Sequence, residues 1–178
     1  MAARRGARSV ALERAVAAQL WLAAAAIEVA LRVWPLPALL ARAPAARSAR
    51  MRWFPAGRGH LAEARLDRLA FRATTWWRGS RACLPLALLR GWLAASAGHD
   101  AAVVLGVRRE VSAPFTAHAW VEVDGEVRGE PADPATAFHR IARYHLTPQH
   151  HLTPQHHPTP QHHPTPQHHL TPQPGGRP

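Results

Sequence analysis

From His145 onward the chain repeats with a period of six: HLTPQH, HLTPQH, HPTPQH, HPTPQH, HLTPQ. Every unit carries a proline, which removes a backbone donor from any helix or ladder, and none offers an apolar face to bury. The tract is therefore expected to be disordered, with polyproline II character. Nine of the 13 histidines lie in it. Paired imidazoles on a flexible strand could bind zinc, nickel or copper loosely, but the tract reads first as an expanded tandem repeat without a selected role. For the fold the repeat sets a limit. Of 178 residues the foldable part ends near Tyr144, enough for one domain with its own core and too little for two.

Lys and Arg together number 22 against 11 acidic residues, a formal charge of +11. Nearly all of it is arginine spread along the foldable part. Spread charge fits an acidic peptide, a nucleic acid or a membrane surface, and equally an Ala/Arg-rich composition without functional meaning. The lone cysteine, Cys83, excludes an intramolecular disulfide and a multi-cysteine zinc site, and a cytoplasmic protein is expected. Without a Gly-rich phosphate loop no nucleotide site is expected, and the foldable part suggests no metal site or other cofactor. "MAARRGARSVALERAVAAQLWLAAAAIEVALRVW" starts basic and turns apolar, but Glu13, Arg14, Gln19, Glu28 and Arg32 interrupt it. It reads as the helix of a soluble protein, neither a membrane span nor a signal peptide.

Between Ala11 and Val33, Leu12, Val16, Leu20, Ala23, Ile27, Ala30 and Leu31 recur at helical spacing, predicting one long amphipathic helix that Pro35 and Pro37 break. A weaker helix follows, and "HLAEARLDRLAFRATTWW" predicts another, with Leu61, Ala64, Leu66 and Leu69 inward. "CLPLALLRGWLAAS" predicts a helix that Gly98 closes. "AAVVLGVRR" reads as a short buried strand and "FTAHAWVEV" as a second. In the latter, Phe115, Ala117, Ala119, Val121 and Val123 share one face, and His118, Trp120 and Glu122 the other. Asp124-Gly125 signals a hairpin, with "EVRGE" as the returning strand. "PADPATAFHRIARY" predicts a loop and then a final helix opened by Asp133 or Pro134.

Outside the repeat there remain Cys83 and four histidines, 60, 99, 118 and 139. Cys83 stands where a helix begins, two residues before a proline that a first helical turn tolerates. Unpaired backbone N–H groups and the helix dipole favour a thiolate there, and Arg81 adds positive potential. A histidine within reach completes such a nucleophile. Taken singly, the cysteine fits a small buried hydrophobe and the histidine an ordinary sheet residue. In combination they suggest chemistry: a helix-start cysteine, then a strand bearing a histidine, with an acid nearby to orient the ring.

"CLPLALLRGWLAASAGHDAAVVLGVRREVSAPFTAHAWVEVDGEV" resembles the leader-peptidase half of the lasso peptide B proteins, a bacterial branch of the transglutaminase-like cysteine protease superfamily. Carrying the resemblance are Cys-Leu ahead of an apolar helix, a Leu-Gly-Val strand end, Ala-His-Ala-Trp-Val-Glu, and the Asp-Gly turn. It covers about residues 70–144. By this resemblance Cys83 is the nucleophile, His118 the general base and then acid, and a carboxylate holds the imidazole. That acid is usually an aspartate shortly after the hairpin, and here the corresponding residue is Glu130. Asp133 is the reserve and Asp124 reads as a turn residue.

Hairpin geometry bears on the choice. A three-residue loop, Val123-Asp124-Gly125, pairs Glu122 with Glu126 and so His118 with Glu130 on one face. A two-residue loop pairs His118 with Pro131 and sends Glu130 to the opposite face. The three-residue loop and Glu130 are the expectation. The oxyanion is assigned to the backbone N–H of Cys83 and one further donor. Trp76, Trp77 and Trp120 could wall a substrate groove, with Trp120 and Trp77 the candidate substrate-binding residues, although a core role fits them as well.

The expected architecture is α+β. It comprises an N-terminal helical region (1–69), a transglutaminase-like or papain-like core with a small antiparallel sheet (70–144), and a disordered repeat tail (145–178). The resemblance implies removal of the leader from a ribosomally made lasso precursor peptide. A separate leader-recognition protein is implied as partner, because residues 1–80 do not read as a winged-helix-like module, and a lasso cyclase acts afterwards. Two other readings stand beside it: a transglutaminase-like scaffold or binding subunit without activity, which the Glu130 departure favours, and a basic nucleic-acid-binding protein, supported by charge alone.

Overall fold

A long helix, α1, runs over Ala2–Val33 and turns one apolar stripe inward. Val16, Leu20, Ala24 and Ile27, at spacings of three and four, are all buried. The computed structural model of the chain describes residues 2–42, 53–79, 82–108 and 116–146. The expected disorder of the repeat, Arg81, Phe115 and the side chain of Trp77 all lie outside those residues. The described residues fall within one unit, Met1–Pro148.

The short helix α2 (Leu36–Arg42) follows the proline break. Helix α3 covers Glu63–Arg78 and buries Leu66, Leu69, Ala70 and Ala73. Ala64, expected inward, is exposed. The helix starts only at Glu63, and its inward phase is set by the bulkier leucines one turn later. α3 is tied to α1 by an ion pair between Arg65 and Glu13. Within α1, Ser9–Val33 is long and apolar enough to cross a membrane by length and composition, a test that the core helix of a soluble protein also passes. Its inward stripe is part of the core formed with α3 and α4.

Helix α4 (Cys83–Ala97) carries Pro85 in its first turn and stops before Gly98. Leu88 and Leu89 are fully buried, each contributing about 1.5–3 kcal/mol by removal from water. The helix packs on a four-stranded antiparallel sheet of order β3-β2-β1-β4. The strands are β1 (Ala101–Arg108), β2 (Thr116–Val123), β3 (Glu126–Arg128) and β4 (His139–His145). Val103 and Ala119 join α4, α1 and α3 in the main core cluster.

β4 replaces the predicted final helix; only a single 3-10 turn, Pro134–Thr136, precedes it. Arg140 and Arg143 sit three apart, a helical spacing that on a regular strand sends side chains to opposite faces. A register shift absorbs the extra residue: Leu105 pairs with Ala142 but Gly106 with Arg140. Both arginines therefore reach one carboxylate, Glu122 of β2, at 2.7 and 3.1 Å. That carboxylate is only 4 % exposed, and a buried charge is tolerated when answered in this way.

On the same face Trp120 is fully buried and lies across Gly106. A Cβ built on Gly106 would stand 2.7 Å from the indole ring and 2.9 Å from the Phe138 Cβ. Both neighbours are packed, so neither can yield cheaply. Gly106→Ala is expected to lower unfolding stability by about 1–3 kcal/mol, the usual cost of overpacking. A urea-unfolding midpoint equal to that of the unaltered protein would disprove this account of the contact.

Candidate active site

Cys83 is the first residue of α4 and is partly buried. The first bond of the helix runs from the Leu86 N–H to the Ala82 carbonyl at 2.9 Å. The N–H groups of Cys83 and Leu84 precede it, and Pro85 has none. The thiol thus stands at the positive end of the helix dipole, beside two backbone donors that the helix itself does not use.

His118 lies near the start of β2, opposite Gly106 of β1. Its ring stacks on Trp120, with centroids 6.2 Å apart and planes at 23°, and meets the Phe138 ring at 5.2 Å. Two aromatic neighbours restrict the imidazole's rotation. Its Nε2 is 3.1 Å from Oε2 of Glu130, and the two side chains are 25 % and 17 % exposed. With the carboxylate ionised and the imidazole neutral, Nε2 carries the proton of this bond and Nδ1 presents its lone pair. Among the described residues Nδ1 has no hydrogen-bond partner.

Glu130 arrives by a different route from the one expected. Val123 pairs with Glu126, so the loop has two residues, Asp124 and Gly125, both at positive φ. That turn matches the twist of the strands, and Asp-Gly is suited to it. Continued regularly, this register would put Glu130 on the wrong face. β3 ends at Arg128, however, and Gly129 at φ 76 takes the chain out of strand geometry. Strand alternation no longer governs Glu130, which turns back onto the imidazole.

Asp133 does not reach the ring in this arrangement. Its carboxylate caps the 3-10 turn, accepting from the Ala135 N–H at 2.9 Å. Asp124 is a turn residue, accepting from the Asp100 N–H at 2.9 Å and lying 2.7 Å from Nδ1 of His99. The His99 bond, then that of Asp100, holds the Asp124 carboxyl below the usual carboxylate range. Of the two roles open to Trp120 from sequence, groove wall and core, it takes the core one and is fully buried. It supports His118 from within, its ring lying over Gly106 of β1. Trp77 belongs to α3, and beside it Trp76 is 77 % exposed.

Sequence reasoning missed Arg90. Its Nε and Nη2 grip the two carboxylate oxygens of Asp67 on α3 at 2.6 and 3.0 Å. Its Nη1 donates to the Gly129 carbonyl at 3.2 Å and stands 4.0 Å from Oε1 of Glu130. A signal was present, since Arg90 is the one charged side chain in the apolar run of α4. An open cavity of about 510 Å³ lies beside it, lined by Leu61, Asp67, Leu93, Val121 and Gly129 among others. That cavity follows the C-terminal half of α4 and does not include Cys83.

The sequence pattern of the transglutaminase-like superfamily matches residues 23–143. The chain belongs to that superfamily. Its members are typically cysteine proteases or acyltransferases, and the helices with a small antiparallel sheet agree with the assignment. The match begins within α1 and ends within β4, so it takes in the helical layer as well as the sheet. No curated protein and no solved structure gives a significant match to the chain.

Proposed function

We propose that this transglutaminase-like protein is a cysteine peptidase that removes the leader from a ribosomally synthesised lasso precursor peptide. Cys83 is the nucleophile, His118 the base and then the acid, and Glu130 the group that orients the imidazole. The observation that carries this reading is the bond from His118 Nε2 to Glu130. It commits one ring nitrogen and leaves Nδ1 without a partner among the described residues; the thiol of Cys83, at the head of the helix packed on this strand, makes no hydrogen bond to the ring there, and the transfer between them is part of the proposal.

The chemistry then proceeds in two halves. Nδ1 takes the Cys83 proton as Sγ attacks the scissile carbonyl carbon, and the carbonyl electron pair moves to oxygen. The first-turn N–H of Cys83 meets that oxyanion. The C–N bond breaks as the imidazolium returns its proton to the leaving amine, giving a thioester and one free fragment. Water then attacks the thioester with Nδ1 as base, and the second fragment leaves as a carboxylic acid while the thiol regains its proton. Glu130 balances the positive charge that the ring carries between these transfers.

The leader is presented by a separate recognition protein, a lasso cyclase acts on the released core peptide, and the reaction takes place in the cytoplasm. Mass spectrometry of a lasso precursor incubated with this protein and its recognition partner tests the reading. Leader release is expected with the unaltered protein and not with Cys83→Ala. Glu130→Ala is expected to slow release by about 10⁴-fold, the cost of losing the acid that orients a catalytic imidazole. Failure of the unaltered protein, with the partner shown to bind the leader, favours an inactive scaffold.

A further inference from the structure

We infer that Arg90 is a positioning residue of this site, and that the chain Asp67–Arg90–Glu130–His118 holds the imidazole in register with Cys83. The inference rests on the reading of Cys83 and His118 as nucleophile and base. Its four side chains come from α3, α4, the segment after β3, and β2, so no single element determines where the imidazole sits.

Cys83 and Arg90 are seven residues apart on α4, just under two helical turns. They therefore lie on one face of the helix, within about 20° and about 10 Å along its axis. One rigid rod carries both the thiol and the cation that reaches the acid. A shift of α4 along the sheet moves the two together, which keeps the nucleophile and the imidazole's anchor at constant spacing.

The contacts divide the work. Asp67 takes the bidentate grip at 2.6 and 3.0 Å, the strongest geometry for this pair. Glu130, at 4.0 Å, is attracted without being captured, and its other oxygen stays on His118. The remaining donor fastens the backbone, through the Gly129 carbonyl at 3.2 Å. Gly129 is suited to this on two counts. Its φ of 76 disfavours a side chain, and a Cβ there would stand 2.5 Å from the guanidinium carbon. The guanidinium occupies the space that any other residue would need.

Because Cys83 is the only cysteine, its alkylation by iodoacetamide in the intact chain reads the thiol–imidazole pair without a substrate. His118→Ala is expected to slow alkylation near neutral pH by about 100-fold, as for loss of a general base. Arg90→Gln is expected to slow it by about tenfold, and Arg90→Lys, which keeps the charge without the fork, by less. Nitrogen NMR of His118 should show the Nε2–H tautomer in the unaltered protein and a mixture in Arg90→Gln, a change that a merely structural role would not produce. Asp67→Asn, which loosens the grip and leaves Arg90 in place, carries the test if Arg90→Gln does not fold. Unaltered alkylation and tautomer in a folded Arg90→Gln or Asp67→Asn, with His118→Ala slow, overturn the positioning role alone. An unaltered rate in His118→Ala overturns the underlying reading.

Discussion

In the proposed peptidase, Cys83→Ala is expected to abolish leader release, with a loss on the order of 10⁶ in turnover, and His118→Ala to cost nearly as much. The two act as one unit, because a thiol without its proton acceptor and an acceptor without its thiol are equally inert. The double variant is therefore expected to be no slower than either single one, although their separate losses would multiply if they were independent. Single-turnover mass spectrometry on a precursor peptide reads all three. Residual cleavage in Cys83→Ala close to the unaltered rate would remove the thiol from the mechanism. A double variant much slower than both singles would show that the two side chains act separately.

Trp120→Ala is expected to have the largest effect on stability. Truncating a buried tryptophan costs about 3–5 kcal/mol in lost transfer energy and cavity, and Gly106 beneath it has no side chain to fill the space. Even the lower end of that range, about 3 kcal/mol, is a large share of the 5–15 kcal/mol typical of a domain. Urea unfolding followed by far-UV circular dichroism measures it. A shift below about 1 kcal/mol would mean that the ring is not a keystone of this face. Trp120→Phe, which keeps an aromatic surface under His118, is expected to lose less.

Much of this was legible in the residues because it depends on local pattern. Leucines at helical spacing marked α1 and α4, and strict alternation marked β2. Glu130 meets His118 for a reason other than the one its sequence suggests. Strand alternation needs a three-residue loop to bring it onto the face of His118, whereas the loop has two residues and Gly129 ends the strand. Alternation predicts faces only while the strand lasts, and no residue pattern announces that β3 stops after three residues. β4 was hidden because Arg140 and Arg143 keep a helical spacing that a register shift converts to one side of a strand. Their partner, Glu122, is 18 residues back from Arg140, beyond any local window. Arg90 was visible as an oddity in an apolar helix, but Asp67 and Gly129, which give it meaning, come from other elements.

The placement of α1 bears on how the chain is made. This helix emerges from the ribosome before α3 and α4, yet Val16, Leu20 and Ile27 find their neighbours only when those helices have followed. Some 64 residues separate the end of α1 at Val33 from the end of α4 at Ala97. At about 5–20 residues per second, an apolar helix of 32 residues waits roughly 3–13 seconds for its cover. During that interval its apolar stripe is open to chaperones and to other nascent chains.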